Sequence, residues 1–448
     1  MPVLSPSKAP TSSSIGHDWR AGHAPETRPA PRPVLFPQIA GWANGLLRRG
    51  VSCRLEGLQD GRIVLEEGGQ RQAFGRGGPS DLAATVQVRD PRFYRRLALG
   101  GSLGAAEAFI RAYWDCDNLV DLVRIFCRNP DVSEGVDRGL ARLLSPIHWL
   151  AHRLHRNTTR GSRRNIAAHY DLGNDFFARF LDDTMTYSCG IFERPDSSLE
   201  EASTAKYDRI CRKLALGPDD HVVEIGCGWG GFALHAAGRY GCRVTATTIS
   251  RQQYEWARRR IREARLQDRV TLLMEDYRRL RGTFDKLVSI EMIEAVGHEY
   301  FDTYFRACCR LLKPEGMMLL QAITIPDQTY EAYRRRVDFI QRYVFPGGLL
   351  PSIGVICQSV ARATDFRPVH LEDITPHYAE TLRHWRDRFH RNLGEIRRLG
   401  LPEELLRIWE YYFCYCEGGF RERAIGTVQM LLTRPECRWA SILLPLPS

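Results

Sequence analysis

The sequence predicts an α/β protein: an open, largely parallel sheet with a helical insert, preceded by a small α+β unit. Three observations carry that prediction. From about residue 200 onward, short apolar runs alternate with segments of helical spacing, the pattern of strands joined by helical crossovers. A glycine-rich turn, Glu224-Ile-Gly-Cys-Gly-Trp-Gly-Gly231, directly follows one of those runs and opens a helical segment. Ahead of them, residues 35–135 hold shorter strand-like and helix-like stretches of their own.

The elements follow in order. Residues 1–34 are rich in Pro, Ser, Ala and Arg without apolar periodicity, and read as a disordered tail. SCRLEGL (52–58) and GRIVLEE (61–67) read as two strands about a glycine-containing turn. A strand over VQVRDPRFYRRLALGG (86–101), a helix at LGAAEAFIRAYWD (103–115) and a helix at LVDLVRIFCR (119–128) complete the small unit over 35–135. Residues 136–164 form a basic amphipathic linker. Leucines and Trp149 recur there at helical spacing among seven arginines, with no acid after Asp137. Such a stretch suits a helix lying in a lipid headgroup layer, and equally a connecting helix with a solvated arginine face. Residues 165–448 form the main domain. Its strands are HVVEIG, CRVTATTI, RVTLLMED, FDKLVSIEMI, MMLLQAITI and a last TVQMLLT, with helical segments between them and over 330–345, 380–398 and 402–423.

Composition bounds the rest. The chain has 448 residues, 44% hydrophobic and 26% charged, and a mean hydropathy of −0.33. No run of about 18 apolar residues exists, which excludes a transmembrane helix. The N-terminus lacks the apolar core of a signal peptide, so a cytoplasmic location is expected. The 13 cysteines are scattered without zinc-site spacing and read as buried thiols in a reducing compartment, with no metal site. Net charge is +10, and its position matters more than its size. Residues 1–164 hold 24 Lys and Arg against 15 Asp and Glu, so the basic excess sits at the front. A basic front end attracts a polyanion, either nucleic acid or an anionic membrane surface. No zinc finger, RNA-stacking motif or basic-zipper heptad accompanies it, which argues against nucleic acid.

The glycine turn is where chemistry should concentrate. Gly226, Gly228 and Gly230 allow a sharp turn and close approach to a ligand at the carboxyl ends of the strands. A dinucleotide site would show GxGxxG and an acid at the tip of the second strand. Here the spacing is GxGxG, the second strand ends at Thr247-Thr248-Ile-Ser250, and the acid, Asp276, follows the third strand. This arrangement resembles the class I S-adenosylmethionine methyltransferases, with their Rossmann-like fold.

Further motifs narrow the resemblance. Asn165-Ile-Ala-Ala-His-Tyr-Asp-Leu-Gly-Asn-Asp-Phe-Phe177, Thr186-Tyr-Ser-Cys-Gly190, Glu224-Ile-Gly-Cys-Gly-Trp-Gly230, Thr248-Ile-Ser-Arg-Gln-Gln253, Glu294-Ala-Val-Gly-His298, Phe345-Pro-Gly-Gly348 and Pro376-His-Tyr-Ala379 stand in this order. The set resembles the cyclopropane-fatty-acyl-phospholipid synthase family, which includes the mycolic acid cyclopropane synthases. The likeness runs from about 165 to 435. It implies a mostly parallel seven-stranded sheet and methylene transfer from S-adenosylmethionine to the cis double bond of an unsaturated phospholipid. A methyl or methylene branch is the alternative product.

An alkene is a poor nucleophile, so it must be held in line with the sulfonium methyl in a dry site. Attack leaves a cation, and a base must then take a proton from the new methyl group. The resemblance implies bound bicarbonate as that base, held by Cys189, Glu294 and Tyr378. Cys189 would line the site without acting as a covalent nucleophile. Glu294 would accept from the bicarbonate OH, and Tyr378 would donate to its oxygens. The better-known members of that family carry a histidine where this chain has Gln321, which can donate N–H but carries no charge. Ile323 would contribute backbone alone. For the cofactor, Tyr187 and Ser188 are expected near the methionine end, and Gly226, Gly228 and Gly230 beneath the methionine and ribose. Thr248 and Gln253 are expected at the ribose or carboxylate, and Asp276 and Tyr277 by the adenine. Glu291 is read as outside the site. His169 and Tyr170 either close over the cofactor or are structural. The aromatic stretch 327–349 is read as the wall of an acyl-chain channel. The expected partner is then an anionic membrane carrying the substrate, with the enzyme peripheral on its inner face and a homodimer as one possible assembly.

Overall fold

The computed structural model describes residues 37–76, 81–137 and 172–438. The expected tail, nearly all of the basic linker, and His169 and Tyr170 lie outside the described residues. The main sheet is built from β5 (His221–Ile225), β6 (Arg243–Thr247), β7 (Val270–Leu273), β8 (Phe284–Ile290), β9 (Leu312–Thr324), β10 (Arg367–Asp373) and β11 (Gly426–Thr433). Across the sheet they run β10-β11-β9-β8-β5-β6-β7. Neighbours from β9 to β7 are parallel, and β11 is antiparallel to both β9 and β10. This is the class I methyltransferase sheet that the motifs imply.

The strands read as continuous apolar runs because both faces are covered. Val223, Leu287, Met318 and Leu320 face one layer, with Phe301, Tyr304, Phe305 and Cys308 of the helix Phe301–Leu311. Their neighbours Val222, Val288 and Leu319 face the other, with Ile210 and Leu214 from the helix Leu199–Lys213 and its end, and Phe232. Alternation along each strand thus sorts residues between two cores. Strand order reverses at β5, which lies between β6 and β8, and opens a crevice at the carboxyl ends of those strands. Two elements differ from the sequence reading. The helix Leu199–Lys213, fixed by a Ser198/Glu201 capping box, precedes β5 unforeseen. Edge strand β10 was also unforeseen, because it alternates weakly and exposes Val369 and Leu371.

The N-terminal unit has β1 (Arg62–Glu67), β2 (Gln70–Phe74), β3 (Ala83–Val88) and β4 (Trp114–Cys116) in the order β2-β1-β3-β4. SCRL is not a strand; it ends the helix Pro37–Leu55. The hairpin partner of β1 lies after it instead. Gly68 and Gly69, both at positive φ, make the two-residue turn into β2. The strand expected over 86–101 ends at Val88, and Arg92 to Gly101 belong to the helix Arg92–Ile110; that helix, expected to reach Asp115, stops at Ile110, because Ala112 takes a positive φ and the chain turns into β4. The unit has no core of its own. Its buried side chains continue into those of the helices Thr375–Arg391 and Glu403–Arg421. Phe109 packs on Tyr411 at 5.5 Å, and Arg407 donates to the Phe109 carbonyl and to Asp115.

Candidate active site

The glycine turn after β5 is tied to β6. The amides of Gly226 and Cys227 both donate to the Thr247 carbonyl, at 3.0 and 2.9 Å. Gly226 has φ 83°, and a Cβ there would lie 2.8 Å from Cγ of Met292. Gly228 and Gly230 also take positive φ. Only glycine permits this path. At the end of β6, Thr248 Oγ1 donates to Gln253 Oε1 at 2.8 Å, and both residues are buried. Ser250 caps the helix that carries Gln253. Asp276 follows β7, and its carboxylate is gripped by Arg278 through Nε at 2.8 Å and Nη2 at 2.6 Å. The acid expected to face an adenine therefore already holds a guanidinium. Tyr277 packs edge-on against Tyr304.

Tyr187 stands in an aromatic cluster with Phe177, Trp385 and Trp409, and its hydroxyl meets that of Tyr412 at 3.1 Å. Ser188 Oγ accepts from Lys206 Nζ at 2.7 Å. Sequence reasoning missed Lys206. It is wholly buried on the helix Leu199–Lys213, and burial pulls its pKa down to about 8. It also left Glu224 unassigned, although Glu224 opens the glycine motif. Glu224 is buried, its Oε2 has no hydrogen-bond partner among the described residues, and burial raises its pKa to about 8.

Cys189, Gln321 and Tyr378 do converge, and the group they converge on is Glu291. The Cys189 amide donates to Glu291 Oε1 at 2.9 Å, and Gln321 Nε2 to the same oxygen at 2.8 Å. Tyr378 Oη donates to Oε2 at 2.7 Å. The Glu291 amide in turn donates to the Gln321 carbonyl at 2.8 Å. Glu291 takes φ 49°, a left-handed conformation that a glutamate rarely adopts. Burial raises its carboxyl above the usual carboxylate range, and the three hydrogen bonds oppose that rise. The expected centre, Glu294, stands beside the cluster. Its Oε1 accepts from the Ile323 amide at 2.5 Å, and its Oε2 is buried without a partner among the described residues. Burial, and then the charge of Glu291, lifts Glu294 to about 8. The Cys189 thiol is wholly buried, donates to the Gly190 carbonyl and is held far above its usual pKa by burial. It is a neutral thiol whose amide faces the site.

The orientation of Gln321 is enforced from a distance. Lys213 Nζ can only donate, and it donates to Gln429 Oε1 at 2.8 Å. That turns the Gln429 amide so that its Nε2 donates to Gln321 Oε1 at 2.9 Å. Gln321 must then present Nε2 to Glu291.

These residues fit S-adenosylmethionine. The glycine turn leaves room for close approach, and unpartnered Glu224 Oε2 offers an acceptor for a cationic group. They do not fit a bound bicarbonate. Cys189 N–H and Tyr378 O–H have one proton each and give it to Glu291, while Ile323 N–H is taken by Glu294. The expectation of a bicarbonate held by Cys189, Glu294 and Tyr378 is corrected on that ground. The aromatic stretch 327–349 comes close at one end, where Phe345 reaches Tyr187 and the Leu349 amide bonds the Glu294 carbonyl. Elsewhere Phe339 packs on Tyr411, and Tyr343 bonds Glu107.

Comparison with known proteins bears on the fold and the family. The family model for mycolic acid cyclopropane synthetase matches residues 157–430. A tuberculostearic acid methyltransferase of Mycobacterium tuberculosis is 36% identical, over 96% of this chain and 98% of its own. The cyclopropane-fatty-acyl-phospholipid synthase of Escherichia coli is 36% identical, over 78% and 88%. Among solved structures, a mycolic acid cyclopropane synthase complexed with SAH and CTAB is 34% identical, with a TM-score of 0.57, covering 60% of this chain and 98% of that one.

Proposed function

The chain belongs to the mycolic acid cyclopropane synthetase family of S-adenosylmethionine-dependent methyltransferases, and from that premise we propose that it alkylates the double bond of an unsaturated phospholipid acyl chain. One observation carries the reading: a buried carboxylate cluster set between the glycine turn and a wall of aromatic side chains. S-adenosylmethionine supplies an electrophilic methyl carbon when bound. The protein's own residues supply the rest. Tyr187, Phe345, Trp385 and Trp409 exclude water, so that an apolar chain can lie against the reacting carbon. A carboxylate at the far side takes the proton that the alkylated chain must lose.

Two products can arise from the same cation. A hydride shift followed by proton loss gives a methylene branch, and direct proton loss with ring closure gives a cyclopropane. The branch is the reading we favour, because the similarity to the tuberculostearic acid methyltransferase spans nearly the whole of both chains. The Escherichia coli relative, matched over less of the chain, supports the ring. An anionic membrane surface is the proposed site of action, with the protein peripheral on the inner face. The basic excess of residues 1–164 supports this. No described helix is long and apolar enough to cross a membrane.

The test is direct. The protein is incubated with methyl-labelled S-adenosylmethionine and anionic vesicles of unsaturated phospholipid, and the acyl chains are examined by mass and proton NMR. A chain heavier by one CH2 is expected. Vinylidene signals mark the branch and upfield ring signals the cyclopropane. Unmodified chains after prolonged incubation would refute the assignment.

A further inference from the structure

We propose that the carboxylate of Glu291 is itself the base of this enzyme, standing in the protein where its relatives are expected to hold a bicarbonate. The inference rests on the acyl-alkylation reading and deepens it. Its first support is the donor set. An amide N–H, a side-chain amide and a phenol O–H converge from three separate elements on one carboxylate. That is an anion site, and the anion in it is covalently part of the chain.

The second support is the count of lone pairs. A carboxylate has about four acceptor positions, two on each oxygen. Cys189 and Gln321 take both on Oε1, and Tyr378 takes one on Oε2. Among the described residues the open position is on Oε2, which is therefore the oxygen that receives a proton. The third support is the backbone. Glu291 holds a left-handed φ of 49°, a conformation that strain disfavours and that the surrounding bonds impose. This turn aims the side chain back into the cluster. The fourth is its neighbour. Glu294, lifted to about 8 by burial and then by the charge of Glu291, accepts from the Ile323 amide, whereas three donors meet Glu291 and favour its ionised form.

The proton step balances. In the alkylated chain a C–H bond of the new methyl group breaks, and its proton goes to Glu291 Oε2. The bonding pair closes the ring, or forms the methylene π bond after a hydride shift, and the positive charge on the chain is discharged. Glu291, now a carboxylic acid, loses the proton to water once product has left. The three donors also restrain the carboxylate from attacking the cation, because they hold its charge along their own directions.

The experiment compares wild type, Glu291→Gln and Glu291→Gly in buffer stripped of carbon dioxide and in buffer with added bicarbonate. Carbon transfer to vesicles is one readout. Binding of ¹³C-labelled bicarbonate by NMR, and of S-adenosylhomocysteine by calorimetry, are the others. Wild type should turn over equally in both buffers and bind no bicarbonate. Glu291→Gln should bind S-adenosylhomocysteine like wild type and lose about 10²–10⁴-fold in turnover. Glu291→Gly, its three donors released, should bind labelled bicarbonate and recover turnover as bicarbonate is added. A wild type that binds bicarbonate and stops without it would overturn the proposal, as would a fully active Glu291→Gln. If wild type transfers no carbon in either buffer, the acyl-alkylation reading fails, and the labelled-bicarbonate arm still decides who fills the anion site.

Discussion

Replacing Tyr378 by phenylalanine deletes one oxygen and little else. The ring stacks on Phe420 at 4.4 Å between centroids, and phenylalanine keeps that contact. What is lost is the only donor on Glu291 Oε2 among the described residues. A hydrogen bond to a charged group contributes about 1.5–3 kcal/mol. Because it favours the ionised form alone, its loss raises the carboxyl pKa, at about 1.4 kcal/mol per unit. The expected rise is about 1–2 units. A base works only when ionised, so the acid limb of the rate profile must move to higher pH by the same amount. Initial rates of carbon transfer to vesicles between pH 5.5 and 9, at saturating S-adenosylmethionine, measure it. Calorimetry with S-adenosylhomocysteine should show unchanged affinity. An acid limb that stays in place would refute the assignment of Oε2, because the hydroxyl is the atom through which Tyr378 bonds Glu291.

Other substitutions test other parts of the site. Glu224 titrates near 8 when folded, against an ordinary value of 4.5, so the folded state holds its proton more tightly. Its stabilising contribution is complete below about pH 4.5 and is lost as pH rises through 8. Glu224→Gln should therefore flatten part of the fall in urea stability between pH 5 and 8, and an unchanged slope would refute the burial cost assigned to it. Gly226→Ala should cost about 1–3 kcal/mol through its positive φ and the clash with Met292, and should abolish cofactor binding, as thermal melts and calorimetry would show. Sedimentation with anionic vesicles should weaken several-fold from low to high salt, because surface charge is screened. Salt-insensitive binding would leave the basic front end to solubility alone.

Much of this molecule was legible from its sequence, for identifiable reasons. The parallel strands announced themselves because burial on both faces demands apolar runs, and the glycine turn because its backbone tolerates no side chain. Gln321 and Tyr378 were found through motifs. Glu291 was not, because its partners lie 102, 30 and 87 residues away and nothing in its own neighbourhood marks it. Lys206 went unread because the helix that carries it was not foreseen, and only the packing of that helix shows its face to be interior. SCRL misled because a short stretch with apolar residues fits a strand or a helix end equally well. Beside it, β2 is almost wholly exposed and has no apolar stripe to reveal it.

The helix Glu403–Arg421 is a party wall between two rooms. Trp409 and Tyr412 face the aromatic chamber around Tyr187, while Tyr411, two positions on from Trp409, meets Phe109 of the N-terminal unit. At Gly418 the fit is so close that an added methyl group would lie 2.7 Å from Val123. The four-stranded sheet therefore cannot be cut away without baring one side of a structure whose other side lines the aromatic chamber. Heating should melt both together in a single calorimetric peak. A displacement of the small sheet reaches the aromatic chamber through this one helix.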